Sequence, residues 1–415
     1  MRESRSGERS LVRFFTSFDY VQIAAMAALL TTGVVFIHST GVQIGTPLAE
    51  TAYLRQLQWI TLGLCLYFAL ALVDFRRVAV PATMFYPVCL GLLVAVFFIG
   101  KVSGGARRWI ALPGLGLRLQ PAEFAKLALI FFLAGLFASR MFTIEPEEMS
   151  ARGKHASQWV AILIAGAVTA LPFLLIARQP DLGSALILPA VAAAIVFVAG
   201  IRRKFLAWML ILLTGAFCLL AANEFWPRRE TNPATGTVTV VYPGLRPLLA
   251  KYQRERILTF FNADRDPRRF GYNRQQALLA VGSGGLTGKG IGQGTQNLLG
   301  FLPHSVSNND FIFAVIAEET GFFGCMVLFG MYLVLFYSIL RTALTTESPY
   351  GRYFAIGVAT LLFVHTFINI GMSAGIMPVT GLPLPFVSYG GSFMLTIMAA
   401  MGILQSIYRF RESEP

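Results

Sequence analysis

Asp310 stands at the mouth of an apolar run, in the stretch SVSNNDFIFAVIAEE, with Glu318 and Glu319 eight and nine residues further on. A carboxylate in such a place can serve as a general base, taking a proton from a hydroxyl as it attacks. The same residue type also caps helices. Asn308, Asn309 and Asp310 can each satisfy the free N–H groups of a first turn, where an acid also suits the helix dipole. The two asparagines could cap equally well, which would leave Asp310 available for chemistry. The two glutamates lie about 12–14 Å further along a helix rising 1.5 Å per residue. Ionisable groups at that depth are costly and face a cavity or a partner. A structural hydrogen bond and a functional role fit this pattern equally.

Cations and further acids recur in three other stretches. KVSGGARRWIALPGLGLRLQ carries Lys101, Arg107, Arg108 and Arg118. LQPAEFAKLALI follows it, with Gln120 before a proline suited to a first helical turn and with Glu123 and Lys126 three residues apart on one face. That pair reads as a local ion pair or as a charged cluster at the outer end of a cavity. ARQPDLGSA crowds Arg178, Gln179 and Asp181 into a tight turn, which also reads as a helix stop followed by an N-cap. VGSGGLTGKGIGQG is not a phosphate loop. Ser283 stands where the first glycine is needed, and Gly290 follows Lys289 where Ser or Thr is required. A loop exposing backbone N–H groups and Lys289 remains. GIMPVTGLPLPFVSYGGS, rich in proline and glycine, predicts a shaped re-entrant turn rather than lipid-exposed backbone. His38, His155, His304 and His365 have no metal-ligand spacing, although His304 could add a hydrogen bond near Asp310.

The elements that must position these groups are helices in a membrane. Of 415 residues 55% are hydrophobic and 13% charged, against about 25% charged in a soluble domain. The expected fold is an all-α polytopic membrane protein of about ten transmembrane helices. The spans fall roughly over 19–39, 56–74, 79–100, 121–140, 157–177, 181–200, 204–221, 310–340, 351–376 and 387–408. One membrane domain covers 1–415, with a cytoplasmic N-terminal tail over 1–18, read as an uncleaved signal-anchor, and a large extracytoplasmic loop over 222–309 between the seventh and eighth spans. Basic residues place both termini in the cytoplasm. Within the long loop, GLRPLLAKYQRERILTFF predicts an amphipathic helix on the outer leaflet and NRQQALLAVGSGG a second short helix. The net charge of +13 fits basic membrane-surface loops better than nucleic acid, for which there is no motif. Cys65, Cys89, Cys218 and Cys325 sit in apolar segments, and no disulfide is expected.

Two outer segments break the positive-inside rule: the short one holding Arg107 and Arg108, and the long loop with its eleven Lys and Arg. An anionic, membrane-held ligand at one outer mouth would offset the charge of the first. A flippase or transporter, whose polar groups would sit nearer the midplane, and a non-catalytic scaffold are the alternatives.

The stretches GARRWI, LQPAEFAKLALI, RQPDLGSALI, GSGGLTGKG, LPHSVSNNDFIFAVIAEETGF and GMSAGIMPVTGLPLPFVSYGGS, in this order, resemble the SEDS family (shape, elongation, division and sporulation). Within the FtsW/RodA/SpoVE group they look most like the RodA branch. The resemblance covers nearly the whole chain. It implies a ten-span peptidoglycan glycosyltransferase that polymerises lipid II, an undecaprenyl-pyrophosphate-linked disaccharide peptide, during cell elongation and rod-shape maintenance. The enzyme would sit in the bacterial cytoplasmic (inner) membrane with its site facing outward. It would work beside a class B penicillin-binding protein that crosslinks the glycan, and beside other elongation-complex proteins. The family's essential acid maps onto Asp310, and its paired residues onto Glu123 and Lys126. Two departures stand out: HSVSNND replaces a shorter acidic-histidine-threonine pattern, and the loop over 222–245 is long.

On this reading Asp310 is the base of an inverting hexosyl transfer. Burial or nearby acids such as Glu319 would raise its pKa. Arg107, Arg108, Lys126 and Arg178 would stabilise the departing pyrophosphate, with Gln120, Glu123, Asp181, Lys289 and Glu319 completing the substrate-binding set. A divalent cation, Mg or Mn, could share that charge, though the sequence shows no cage for one.

Overall fold

Short polar side chains open several helices. The Asp74 carboxylate accepts from the Arg76 N–H, the Ser348 hydroxyl accepts from the Gly351 N–H, and the Asp181 carboxylate accepts from the Ser184 N–H. Each satisfies a donor that no helical carbonyl can reach. The computed structural model describes residues 17–44, 51–103, 106–111, 118–139, 151–200, 215, 228–231, 238–241, 256, 259–260 and 270–411. The tail before residue 17, nearly all of the span expected over 204–221, and most of the helix expected over 244–261 lie outside these. Described positions 256, 259 and 260 are helical.

In chain order the helices are α1 (Tyr20–Ile44), α2 (Ala52–Leu72), α3 (Phe75–Ile99), α4 (Pro121–Ala138), α5 (Ala151–Arg178) and α6 (Leu182–Val198), then α7 (Phe270–Ser283), α8 (Thr295–Leu298), α9 (His304–Ser307), α10 (Ile312–Thr345), α11 (Pro349–Ser373) and α12 (Gly391–Arg409). Six of them, α1, α4, α5, α10, α11 and α12, contain stretches long and apolar enough to cross a membrane. In α3 and α6 the apolar stretches are shorter. The second short helix expected in the long loop is α7.

The all-helical expectation needs one correction. The Arg107–Arg108 segment forms a three-stranded antiparallel sheet, β1 (Lys101–Ser103), β2 (Ala106–Ala111) and β3 (Arg118–Leu119), and β4 (Arg228–Thr231) pairs antiparallel with β5 (Val238–Val241). These segments cannot bury a helical stripe, and a hairpin satisfies their backbone locally.

Helix α4 is buried nearly all round, as befits the centre of a bundle. It packs against α3, α6, α11 and α12, while α12 lies along α2. At Gly402 a Cβ would come within 2.6 Å of the Tyr67 carbonyl oxygen, so the α2–α12 contact depends on a missing side chain. Leu333, Leu344, Phe363 and Phe98 stay exposed on the outside of the bundle, as lipid-facing side chains would.

One irregular segment threads this interior, and a second, largely exposed, packs its backbone against α10. Residues 374–390 carry Leu382, Leu384, Phe386 and Val387, all buried, and side chains from several helices hold their carbonyls. The Tyr332 hydroxyl donates to Pro385 O at 2.6 Å, Gln56 Nε2 to Ser388 O at 3.3 Å, and Asn369 Nδ2 to Leu382 O at 2.7 Å. The second segment, 284–294, repairs a break in α10. At Gly321 the backbone leaves helical geometry (φ 64, ψ −161), which separates the Glu318 and Glu319 carbonyls from the N–H groups of Phe322 and Phe323. The loop supplies all four partners. Lys289 N–H donates to Glu318 O and Gly290 N–H to Glu319 O, while the Phe322 and Phe323 N–H groups donate to Gly285 O and Leu286 O, all at 2.9–3.1 Å. The eighth expected span is therefore a fully buried stub followed by a long helix with a lipid-facing side. A Cβ at Gly321 would sit 2.3 Å from Gly288 N on a positive φ. Gly321→Ala should cost about 1–3 kcal/mol, read as a lowered melting temperature of the purified protein. An unchanged melt would mean that the loop does not close the break.

Candidate functional site

The turn before α10 places Asp310. Its backbone oxygen accepts from Asn369 Nδ2 at 2.9 Å. The N-cap position of α10 is Phe311, whose side chain makes no capping bond. Neither Asn308 nor Asn309 holds the N-cap position. Their carbonyls instead accept from Tyr389 N–H and Ser388 Oγ of the re-entrant segment. Asp310 and Arg256 meet over Gly381, where a Cβ would lie 3.2 Å from Asp310 Oδ2 and 3.4 Å from Arg256 Nη1. A side chain at that position would fill the space the two groups share. Arg256 is also anchored by donating to Thr380 O at 2.6 Å.

Beside this pair lies a second acid and a second guanidinium. The hairpin alternates its side chains, so Arg107 is exposed and donates to Phe97 O, while Arg108 turns inward. Arg108 donates to Gln179 O at 3.1 Å and to Pro180 O, and its Nη1 is 3.8 Å from Asp181 Oδ2. Gln120 Nε2 donates to the same Asp181 oxygen at 3.1 Å. Burial pushes the Asp310 carboxyl up to about 6. The Arg256 charge opposes that shift, the Asp181 charge adds to it, and Arg108 opposes it. The expected neighbour Glu319 has no part in this.

The other expected site residues go elsewhere. Glu123 and Lys126 form a buried ion pair at 2.8 Å, and Lys126 is 1% exposed, held from its other side by His365. Lys289 Nζ binds Glu318 Oε1 at 2.6 Å and the hydroxyls of Ser283 and Thr295. Glu319, also buried, accepts from Ser39 Oγ at 2.7 Å. Arg178 ends α5 exposed. The structure thus gathers Asp310, Arg108, Asp181 and Gln120, adds Arg256, and sets Glu318, Glu319 and Lys289 in a cluster of their own. Arg256 escaped the sequence reading, which placed its helix flat on the lipid. The YQRER stretch shows a basic face but not the acid it meets. Among the described residues no group of three or more His, Cys, Asp or Glu is disposed to hold a metal ion.

Apolar helices, irregular backbone held inside them and an acid–guanidinium crevice at a helix mouth define a multi-pass membrane protein with a polar site. The model of the FtsW/RodA/SpoVE family, described as cell cycle protein, matches residues 20–413, and the chain belongs to that family. Peptidoglycan glycosyltransferase MrdB of Escherichia coli (strain K12) is 36% identical over 93% of this chain and 92% of its own. Peptidoglycan glycosyltransferase RodA of Treponema pallidum (strain Nichols) is 32% identical over 95% and 98%. A solved chain from a peptidoglycan synthase complex that coordinates polymerization and crosslinking superposes with a TM-score of 0.72 at 28% identity, covering 96% of this chain and 99% of that one.

The Lys289–Glu318 bridge gives a stability test. Lys289→Met leaves a carboxylate buried without its cation, which costs about 3–5 kcal/mol. Melting of the variant should drop accordingly, and a wild-type melt would show that the loop is held by its backbone bonds alone.

Proposed function

We propose that this chain is a peptidoglycan glycosyltransferase that polymerises lipid II during cell elongation, with Asp310 as its general base. The observation that carries the reading is the meeting of Asp310 and Arg256 over Gly381, an acid and a cation sharing one space at a helix mouth. The acceptor hydroxyl gives its proton to the Asp310 carboxylate as its oxygen bonds the donor's anomeric carbon. The bond from that carbon to the pyrophosphate oxygen breaks, and the pyrophosphate leaves with the electron pair. Attack from the face opposite the leaving group inverts the configuration in one step. Arg256 and Arg108 face the negative charge that grows on the leaving group. Asp181 and Gln120 orient Arg108. Lys126 and Lys289 are held by their own partners, so the phosphate role falls to the two guanidinium groups.

The names of the relatives support this chemistry, and the synthase-complex neighbour supports a class B penicillin-binding protein as partner. The finer architecture we assign is ten spans with both termini cytoplasmic, the bacterial inner membrane, a large extracytoplasmic loop over 222–309, and a crevice facing outward.

Asp310→Asn, assayed on labelled lipid II in detergent with the partner present, should lower polymerisation about 10²–10⁴-fold. Near-normal synthesis by a folded variant would refute the base. Polymerisation in detergent also separates this reading from a flippase, which needs two compartments. Because the base works ionised, the wild-type rate should fall with acidification below about pH 6, the position to which Asp310 is pushed. In a pH series, a limb that stays near 4 would place the proton acceptor elsewhere.

A further inference from the structure

We infer that His365 is a positioning residue for the Asp310 crevice, acting through the carbonyl of Pro383. The inference rests on the proposed reaction for its kinetic readout, but its geometry stands apart. His365 lies on α11, wholly buried, and touches neither Asp310 nor the two arginines in any described contact. Its Nε2 is 3.0 Å from Lys126 Nζ, and its Nδ1 is 3.2 Å from Pro383 O.

Donor arithmetic fixes the tautomer. An ammonium only donates, so Nε2 must accept and carries no proton. Nδ1 then carries it and donates to Pro383 O, which can only accept. The ring is neutral and oriented at both ends. It is also clamped in plane, stacking on Phe393 with centroids 4.5 Å apart, while Lys126 Nζ sits 5.5 Å from the same Phe393 ring. Glu123 balances the ammonium at 2.8 Å. A buried charge pair on α4 thus ends on one carbonyl of the re-entrant segment.

That carbonyl is well chosen. Asn369 lies one turn after His365 on the same helix face and donates to Leu382 O and to Asp310 O. Two side chains a turn apart therefore hold consecutive carbonyls, Leu382 and Pro383, next to the glycine over which Asp310 and Arg256 meet. The prolines at 383 and 385 remove backbone donors from this stretch, so its carbonyls depend on side chains. Loosening the Pro383 end would let Gly381 and Thr380 shift, and with them the Arg256 anchor.

The test compares His365→Leu, which deletes both bonds, with His365→Gln, whose amide can accept from Lys126 and donate to Pro383 O. Full-length protein with its partner is assayed on lipid II. His365→Leu should lower kcat about tenfold to a hundredfold with KM changed less than about twofold, the signature of misplacement, and His365→Gln should recover most of the loss. Wild-type kcat in a folded His365→Leu protein, or His365→Gln no better than Leu at equal melting temperature, would overturn the inference. Nitrogen-15 histidine spectra of the wild type provide a readout independent of catalysis and of whether the variants fold. Of the four histidines, one should appear as a neutral ring protonated at Nδ1. The absence of any neutral ring protonated at Nδ1 would overturn the inference. An inactive wild type would strike the proposed reaction and leave the spectra to judge the geometry.

Discussion

Two helical hydrogen bonds are missing from α10, and most of the polar architecture depends on how they are replaced. In an apolar interior an unpaired backbone group costs several kcal/mol, so a break at Gly321 survives only if another chain segment supplies both donors and both acceptors. The 284–294 loop does so with four backbone bonds. It also brings Lys289 onto Glu318, so that a buried carboxylate next to the break has its counter-charge. The eight residues Ile312–Glu319 then form a buried stub before the break, and Asp310 stands just ahead of it. The same rule governs residues 374–390, whose carbonyls are held one by one from α2, α10 and α11.

These two solutions decide which charges remain available. A chain with a net charge of +13 has many cations, but a buried one must be matched. Lys126 is matched by Glu123 and a neutral ring, and Lys289 by Glu318. Arg107 and Arg178 are turned to the outside. What remains at the Asp310 crevice is Arg108 and Arg256, each anchored by a carbonyl from an irregular segment. The guanidinium group suits this place because its fork can hold an anchor and still present N–H groups to an anion.

Much of this was legible in the sequence and some was not, for reasons that follow from periodicity and range. Helix starts at Pro121 and Asp181 follow local rules, and the position of Asp310 at the mouth of the apolar run could be read directly. The separate fates of Arg107 and Arg108 could not, because helix, loop and strand give adjacent residues different relations, and only the strand sends them to opposite sides. Arg256 was hidden because an amphipathic pattern shows which face is basic without showing that the loop folds back over a helix mouth. Lys289 and Glu318 are 29 residues apart, and no local spacing reports such a pair. Glu318 and Glu319 look like one acidic site in the sequence. Adjacent residues of a helix point about 100° apart, so Glu318 takes Lys289 of the loop as its partner and Glu319 takes Ser39 of α1, while both carboxylates border Gly294.

The shared ladder at Gly321 also bears on how this protein can vary. A long connecting segment on a membrane bundle is ordinarily the part most open to exchange, since it runs over the surface. Here a stretch of it works as a missing turn of a core helix, and its glycines fit the backbone of that helix at distances no side chain would permit. Loop and helix are thus one inheritable unit. Hybrids that graft the connecting segment of a distant relative onto this bundle would need the matching first half of α10 with it, and drift in one would be tolerated only where the other drifts in step.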